Sequence, residues 1–190
     1  MPSIAATTVP GYIAGTWTLD KVHSATAFTV RHLMVSKVRG RFTSFDAEIV
    51  TAENPLESRF TATVDLSSID TDDPDRDAHI RSADFFEVEK YPTMTYQSTG
   101  IREAGDHFVV DGELTLHGVT RSVALDLEVN GFQAQTPFGD TRVGFSATTE
   151  IDRRDFDIVF NMPLDGGGVV VGDRIQVFIE VEAILQKPAA

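Results

Sequence analysis

Few residues in this chain have the types and spacing that chemistry needs. The stretch "DKVHS" places Asp20, His23 and Ser24 within five positions, the side-chain types of an acyl-transfer triad. A triad requires its three members to converge from separated segments, and the Gly-x-Ser-x-Gly elbow of a nucleophilic serine is absent. The expected role of this cluster is a local cap at the entrance to a strand. The five histidines (His23, His32, His79, His107 and His117) show neither His-x-His nor His-x-Glu-x-x-His spacing, so no metal site is expected. There are no cysteines, which excludes disulfides, thiolate catalysis and cysteine-held metal. No residue is nominated as catalytic.

Two further polar groups carry weight. His32 shares the face of Phe28 and Val30 in an alternating run, and a histidine among apolar groups must find a partner. That partner is either protein, the commoner case, or the polar end of a ligand. Arg31, Arg39, Arg41, Arg76 and Arg81 gather near one another in the inferred layout and could meet a phosphate headgroup. Ordinary pairing with Asp72, Asp73, Asp75 and Asp77 is the expected arrangement.

The elements that must position these residues are strands. In Ala25 to His32, Thr26, Phe28, Val30 and His32 share a face. Phe60, Ala62, Val64 and Leu66 alternate with polar neighbours, as do Val123, Leu125, Leu127 and Val129. So do Val143, Phe145, Ala147, Thr149 and Ile151, and finally Ile175, Val177, Ile179, Val181 and Ala183. A period of two over long runs marks antiparallel sheet with one wet face. Phe42, Phe45, Ala47 and Ile49 change phase partway, as a bulge produces. Further strands fit 93–99 and 107–116, and "LTLHGVTRSVAL" reads as a hairpin turning at His117-Gly118. The total is roughly eight or nine strands. Long sequential hairpins point to an up-and-down barrel that closes its own edges, with a two-sheet sandwich as the competing architecture.

One helix is predicted, near 74–82. Asp73 can cap it, Pro74 suits its first position, and Asp75 and Asp77 suit its positive end. It leads into Phe85 and Phe86, framed by Asp84 and Glu87, before Tyr91-Pro92 enforces extended backbone. The aromatics are expected to be buried and the acids to face water. The 152–172 excursion, "DRRDFDIVFNMPLDGGGVVVG", is long enough for a loop to be functional.

The chain has 190 residues and a formal net charge of -13, with 29 acidic against 16 basic side chains. Such a balance repels nucleic acid and anionic lipid at long range. No apolar run is long enough to span a membrane. The start, "MPSIAATTVPGYIAG", has no basic or apolar region of a signal peptide, so a cytoplasmic location is expected. Residues 1–15 are read as a flexible arm and 16–186 as one domain.

Three segments together carry a resemblance: "WTLDKVHSATAFTVRHLMVSKVRGRF", "RDAHIRSADFFEVEKYPTMTY" and "DGELTLHGVTRSVALDLEVNG". They resemble the YceI-like, polyisoprenoid-binding family, in the expected order over nearly all of 16–185. The resemblance implies an all-β fold: an extended, antiparallel, lipocalin-like β-barrel of about eight strands with a short helix across one end. It also implies an apolar tunnel holding an isoprenoid-type lipid, a polyprenyl chain or isoprenoid quinone, as the ligand, with no cofactor and no catalysis. The residues assigned to the tunnel are Phe28, Val30, His32, Phe42, Phe45, Phe85, Phe86, Tyr96 and Phe145. A homodimer is compatible with this picture. An enzyme acting on a lipid through His32 or His23, and a stress-related barrel with a filled interior, are the competing readings. One departure stands out: the family pattern reads Asp-Phe-Gly where this chain has Asp155-Phe156-Asp157. Burying about 30 tail carbons at roughly 0.8 kcal/mol each exceeds the affinity ceiling of about 18–21 kcal/mol, whereas one charge-assisted hydrogen bond adds roughly 1.5–3 kcal/mol. Tail length and shape should therefore select the ligand more strongly than its headgroup.

Overall fold

The structure is a computed structural model that describes residues 9–188. Among the described residues eleven strands follow one another: β1 (Gly15–Leu19), β2 (Ala25–His32), β3 (Ser36–Phe42), β4 (Phe45–Thr51), β5 (Arg59–Asp65), β6 (Ile69–Asp70), β7 (Thr93–Ala104), β8 (His107–Leu116), β9 (Val119–Gln133), β10 (Arg142–Asp152) and β11 (Val171–Leu185). Helix α1 (Pro74–Arg81) lies between β6 and β7.

Six of these strands are halves of three interrupted ones. β1 pairs with β4 while β2 pairs with β3, and β4 pairs with β5 while β3 pairs with β6. The long strand β11 runs antiparallel to both β2 and β1, with Val177 opposite Phe28 and Leu185 opposite Trp17. Counting each broken pair once gives eight antiparallel staves closed into a barrel. Closure removes the free edges that an open sheet would expose.

The interruptions have local chemical causes. At 20–24 the Asp20 carboxylate accepts from the backbone N–H groups of Val22 and His23, which turns the chain aside. At 43–44 and 66–68 two breaks lie side by side and are sewn together: Ser68 Oγ accepts from Ser44 N–H at 3.0 Å, and Ser44 O accepts from Asp65 N–H at 2.9 Å. The inward set shifts there from Val38, Gly40 and Phe42 to Phe45, Ala47 and Ile49, the phase change expected from the sequence.

The expected helix is present. Asp73 caps it by accepting from Asp75 and Arg76 N–H, with Pro74 at its first position. Asp77 is turned inward and buried, accepting from Thr71 N–H (2.9 Å) and the Thr71 hydroxyl (2.6 Å). The β8–β9 turn places His117 and Gly118 at φ 54° and 73°, the left-handed pair that a two-residue hairpin favours.

The expected arm over 1–15 falls outside the described residues as far as position 8. Beyond it, the Tyr12 hydroxyl donates to Ala52 O at 2.8 Å and its ring meets Phe132 edge-on, while Gly15 already belongs to β1. The chain is therefore fixed to the barrel from Tyr12 onward, ahead of the expected boundary at 16. No helix among the described residues is long and apolar enough to cross a membrane.

One core cluster closes the end of the barrel where the first and last strands meet. It centres on Trp17, Ile49, Val143 and Ala183. Trp17 Nε1–H donates to the Thr51 hydroxyl at 2.7 Å, and that hydroxyl donates to Ile13 O, so the buried polar atoms are satisfied. A second cluster, including Phe42, Leu66, Ile69, Phe156 and Ile158, underlies α1 and the Phe85-Phe86 segment.

Candidate functional site: the barrel lumen and its mouth

The barrel is not filled. A cavity of about 460 Å³ runs inside it, lined almost wholly by apolar side chains, from Tyr12 and Pro55 near Trp17 to His32, Phe160 and Met162 at the other end. All nine residues assigned from the sequence line it: Phe28, Val30, His32, Phe42, Phe45, Phe85, Phe86, Tyr96 and Phe145.

Two glycines explain how so many aromatic rings leave room. Phe28 on β2 lies flat over Gly40 on β3, where an added Cβ would stand 2.4 Å from the ring's Cζ. Tyr96 on β7 lies over Gly112 on β8 in the same way, at 2.3 Å. Its hydroxyl reaches past β8 to donate to Val123 O on β9 at 2.9 Å. Burial, and then the Asp111 charge, push the Tyr96 hydroxyl up from its ordinary pKa, so it stays a neutral donor. The rings thus pave the wall where glycine removes a side chain, and the axis stays open.

Phe85 and Phe86 divide the labour at the helix end. Phe86 stands 6.0 Å from Phe42, which stands 5.8 Å from Phe28, a file of rings within the wall. Phe85 instead meets His79 (5.1 Å) and Phe160 (5.3 Å) edge-on, and these two meet each other at 5.2 Å. Asp84 holds His79 Nε2 at 2.8 Å from outside. Glu87 departs from the expectation that it faces water: it is half-buried, 3.6 Å from His117 Nε2. Phe160, from the 152–172 excursion, is a lining residue that sequence reading missed. Its neighbours "DIVFNM" held an apolar patch too short to show periodicity.

The excursion is anchored by Arg153. Its guanidinium is buried and donates to the carbonyls of Gly172 (3.0 Å), Ile158 (2.9 Å) and Phe160 (2.9 Å), with Asp173 beside it. The Asn161 side chain adds a two-way bridge to the backbone of Val171. Asp157, where the resemblance implies a glycine, adopts φ 57°, ψ 24°. Aspartate is one of the few non-glycine residues that tolerate this left-handed geometry.

His32 sits at the mouth beside Val171. The expected protein partner is not found: among the described residues its ring makes no hydrogen bond or ion pair. The arginines also differ from expectation. Arg41 pairs with Asp70 (2.7 Å), and Arg76 and Arg81 donate to backbone carbonyls of Thr71, Ser67 and Ile69. Asp73 and Asp77 are occupied by α1 and Thr71, as above, and are not ion-pair partners.

The Asp20, His23 and Ser24 cluster is a structural knot. His23 Nδ1 lies 2.9 Å from Asp20 Oδ2, but the Ser24 hydroxyl donates to Glu182 O and accepts from Glu182 N–H. Arg142 Nη1 donates to Asp20 at 2.7 Å and also bonds Glu182. Asp20, His23 and Glu182 are close enough to ligate a cation, yet the guanidinium already supplies the charge they would balance. The His23 hydrogen bond chiefly holds the Asp20 carboxyl down to about 2 and raises the His23 pKa.

Comparison with known proteins matches this geometry. The YceI-like domain matches residues 17–183. Protein YceI of Escherichia coli O157:H7 is 35% identical over 178 residues, covering 92% of this chain and 90% of its own. The crystal structure of a Campylobacter jejuni YceI protein is similar, with a TM-score of 0.69 and 31% identity over 90% of this chain and 98% of that one. A polyisoprenoid-binding domain from Saccharophagus degradans, implicated in plant cell wall breakdown, shares the fold at a TM-score of 0.69 and 18% identity, covering 92% and 100%. The match across the whole barrel, closing strands included, makes this chain a member of the YceI-like family.

Proposed function

We propose that this protein binds a long-chain isoprenoid-type lipid non-covalently in the barrel lumen and carries it without transforming it. The observation that carries this reading is the open, apolar cavity of about 460 Å³ inside a closed barrel. The structural likeness to a polyisoprenoid-binding domain agrees with it. The longest strands have 15 residues, so a stave spans about 50 Å at roughly 3.3 Å per residue, somewhat less along the tilted barrel axis. That shape fits an extended tail better than a compact ligand. The tail would lie along Phe28, Tyr96 and Phe145, with its polar end at His32, whose ring has no competing protein partner. The lipid is then the only ligand required. Ser24 and His23 face different partners, which supports binding over acyl transfer.

The test is direct. Lipid extracted from gently purified protein and examined by mass spectrometry should contain a prenyl-chain species. A fluorescent prenyl probe should bind stoichiometrically and be displaced by it. Protein that yields no long-chain lipid and takes up no probe would end this reading.

A further inference from the structure

Between Asp20 and Asp46 the chain holds no acidic residue, although Asp and Glu fill 29 of its 190 positions. The same interval holds Lys21, Arg31, Lys37, Arg39 and Arg41. β2 and β3 pair Arg31 with Lys37 and Thr29 with Arg39, and residues two apart share a face of a strand. These cations therefore form an outward strip that runs up to the hairpin tip. Arg41 is tied to Asp70, but Arg31, Lys37 and Arg39 have no ionic partner among the described residues. In a chain of net charge -13 this is a local reversal of sign.

The tip between these cations is apolar and exposed. Leu33, Met34 and Val35 are 40%, 53% and 80% accessible, where a turn facing water would carry polar residues. Leu33 and Met34 also hold φ of 52° and 62°, a conformation that Asn or Gly would adopt at less cost. A second loop lies against this tip. Leu33 N–H donates to Val170 O at 2.8 Å, Met34 packs over Gly168, and Val170 N–H donates to Met162 O. Met162 is itself half exposed. His32, Met162 and Val170 belong to the cavity lining, so the apolar patch is the rim of the mouth.

We propose that this rim docks onto an anionic phospholipid bilayer. Leu33, Met34, Val35 and Met162 enter the boundary between headgroups and acyl chains, and Arg31, Lys37 and Arg39 meet lipid phosphates. An apolar tip flanked by cations is the combination that binds at that boundary. Asp165 on the neighbouring loop and the overall negative charge oppose the approach, so neither the cations nor the apolar tip suffices alone. Docking sets the lumen against the bilayer and lets a tail pass between them without crossing water. That last role rests on the proposed lipid ligand; docking itself does not.

Flotation of the full chain with vesicles of phosphatidylcholine, with and without phosphatidylglycerol, tests this. The wild-type chain should float with the anionic vesicles and far less with the neutral ones. Val35→Asp should lower the partition about tenfold, and Lys37→Glu combined with Arg39→Glu about fivefold per removed cation. Phe138→Asp serves as control, since Phe138 is 83% exposed in the loop at the far end of β10, and its flotation should match wild type. Thermal denaturation confirms that each variant folds. A wild-type chain that stays off anionic vesicles overturns the proposal, as does a Val35→Asp variant that floats normally or a Phe138→Asp variant that loses as much. Uptake of the fluorescent prenyl probe is measured in parallel. A chain that takes up the probe yet never floats overturns docking and leaves lipid binding intact. A chain that floats but takes up no probe supports docking and removes the proposed ligand.

Discussion

Phe28 lies flat against Gly40 of the adjacent strand, with no room for even a methyl group between them. Gly40→Ala should therefore tip the Phe28 ring toward the barrel axis. We expect weaker uptake of a fluorescent prenyl probe and a stability loss of about 1–3 kcal/mol from overpacking. The double variant Gly40→Ala/Phe28→Ala should recover uptake, because the displaced ring is gone. Unchanged uptake in the single variant would mean that the tail does not pass this level of the barrel. Gly112→Ala should displace Tyr96 likewise but cost more stability, because its methyl would also stand 2.7 Å from the Gln97 backbone oxygen, with about 1 kcal/mol more lost if the bond to Val123 O breaks.

The two aromatics after α1 should respond differently to truncation. Phe86 continues the ring file through Phe42, so Phe86→Ala should behave as a core deletion and cost about 3–5 kcal/mol in chemical denaturation. Phe85 clasps Phe160 and His79 at the edge of the lumen, so Phe85→Ala should cost less and speed release of a bound prenyl probe. Stopped-flow release measured beside denaturation on both variants separates the roles. Equal stability losses with equal release rates would refute the division.

The Asp20 knot should mark the pH dependence of stability on both sides. Asp20 is held at about 2 in the fold against an unfolded value of about 3.9. Its contribution is therefore complete above roughly pH 4 and disappears as pH falls toward 2. The His23 pKa is raised, so its contribution is complete below its unfolded value of about 6.5 and disappears as pH rises through the folded value. Thermal midpoints of Asp20→Asn should fall less steeply than wild type between about pH 4 and 2, because the variant has no carboxylate to protonate in that window. His23→Gln should flatten the decline just above neutrality. Parallel profiles for wild type and both variants would dismiss the knot as a stabilising element.

Asp157 holds a left-handed turn that branched side chains resist. Asp157→Val should cost about 1–2 kcal/mol, while Asp157→Gly should stay within about 1 kcal/mol of wild type because relieved strain and added unfolded-state freedom oppose each other. Urea denaturation of the two variants decides the matter. A Val variant as stable as wild type would show that the turn relaxes to another geometry.

Much of the barrel is legible in the sequence because alternation survives wherever one face is wet. The inward sets on β2, β5, β9, β10 and β11 were readable position by position, and so was the phase change between Phe42 and Phe45. Helix α1 was readable from its cap chemistry and not from any apolar stripe, since it has none. The break at 66–68 was hidden because Leu66 continues the alternation of Phe60, Ala62 and Val64 while the backbone already turns. The open interior was only half visible. An isolated glycine in "VRGRF" signals close approach of some group, but which ring covers Gly40 depends on strand register. Burial of Arg153 was not legible, because "DRRDFD" reads as surface until carbonyls from 158, 160 and 172 converge on one guanidinium.

The barrel closes by pairing its first strand with its last, Trp17 opposite Leu185. A nascent chain is therefore a trough, with an apolar floor and two unpaired edges, until its final strand has left the ribosome. Such edges are templates for wrong pairing, and ladders between distant parts of a chain form late. Enclosure of any guest thus waits for β11, and a chain shortened before it would make a sticky open sheet instead of a smaller container.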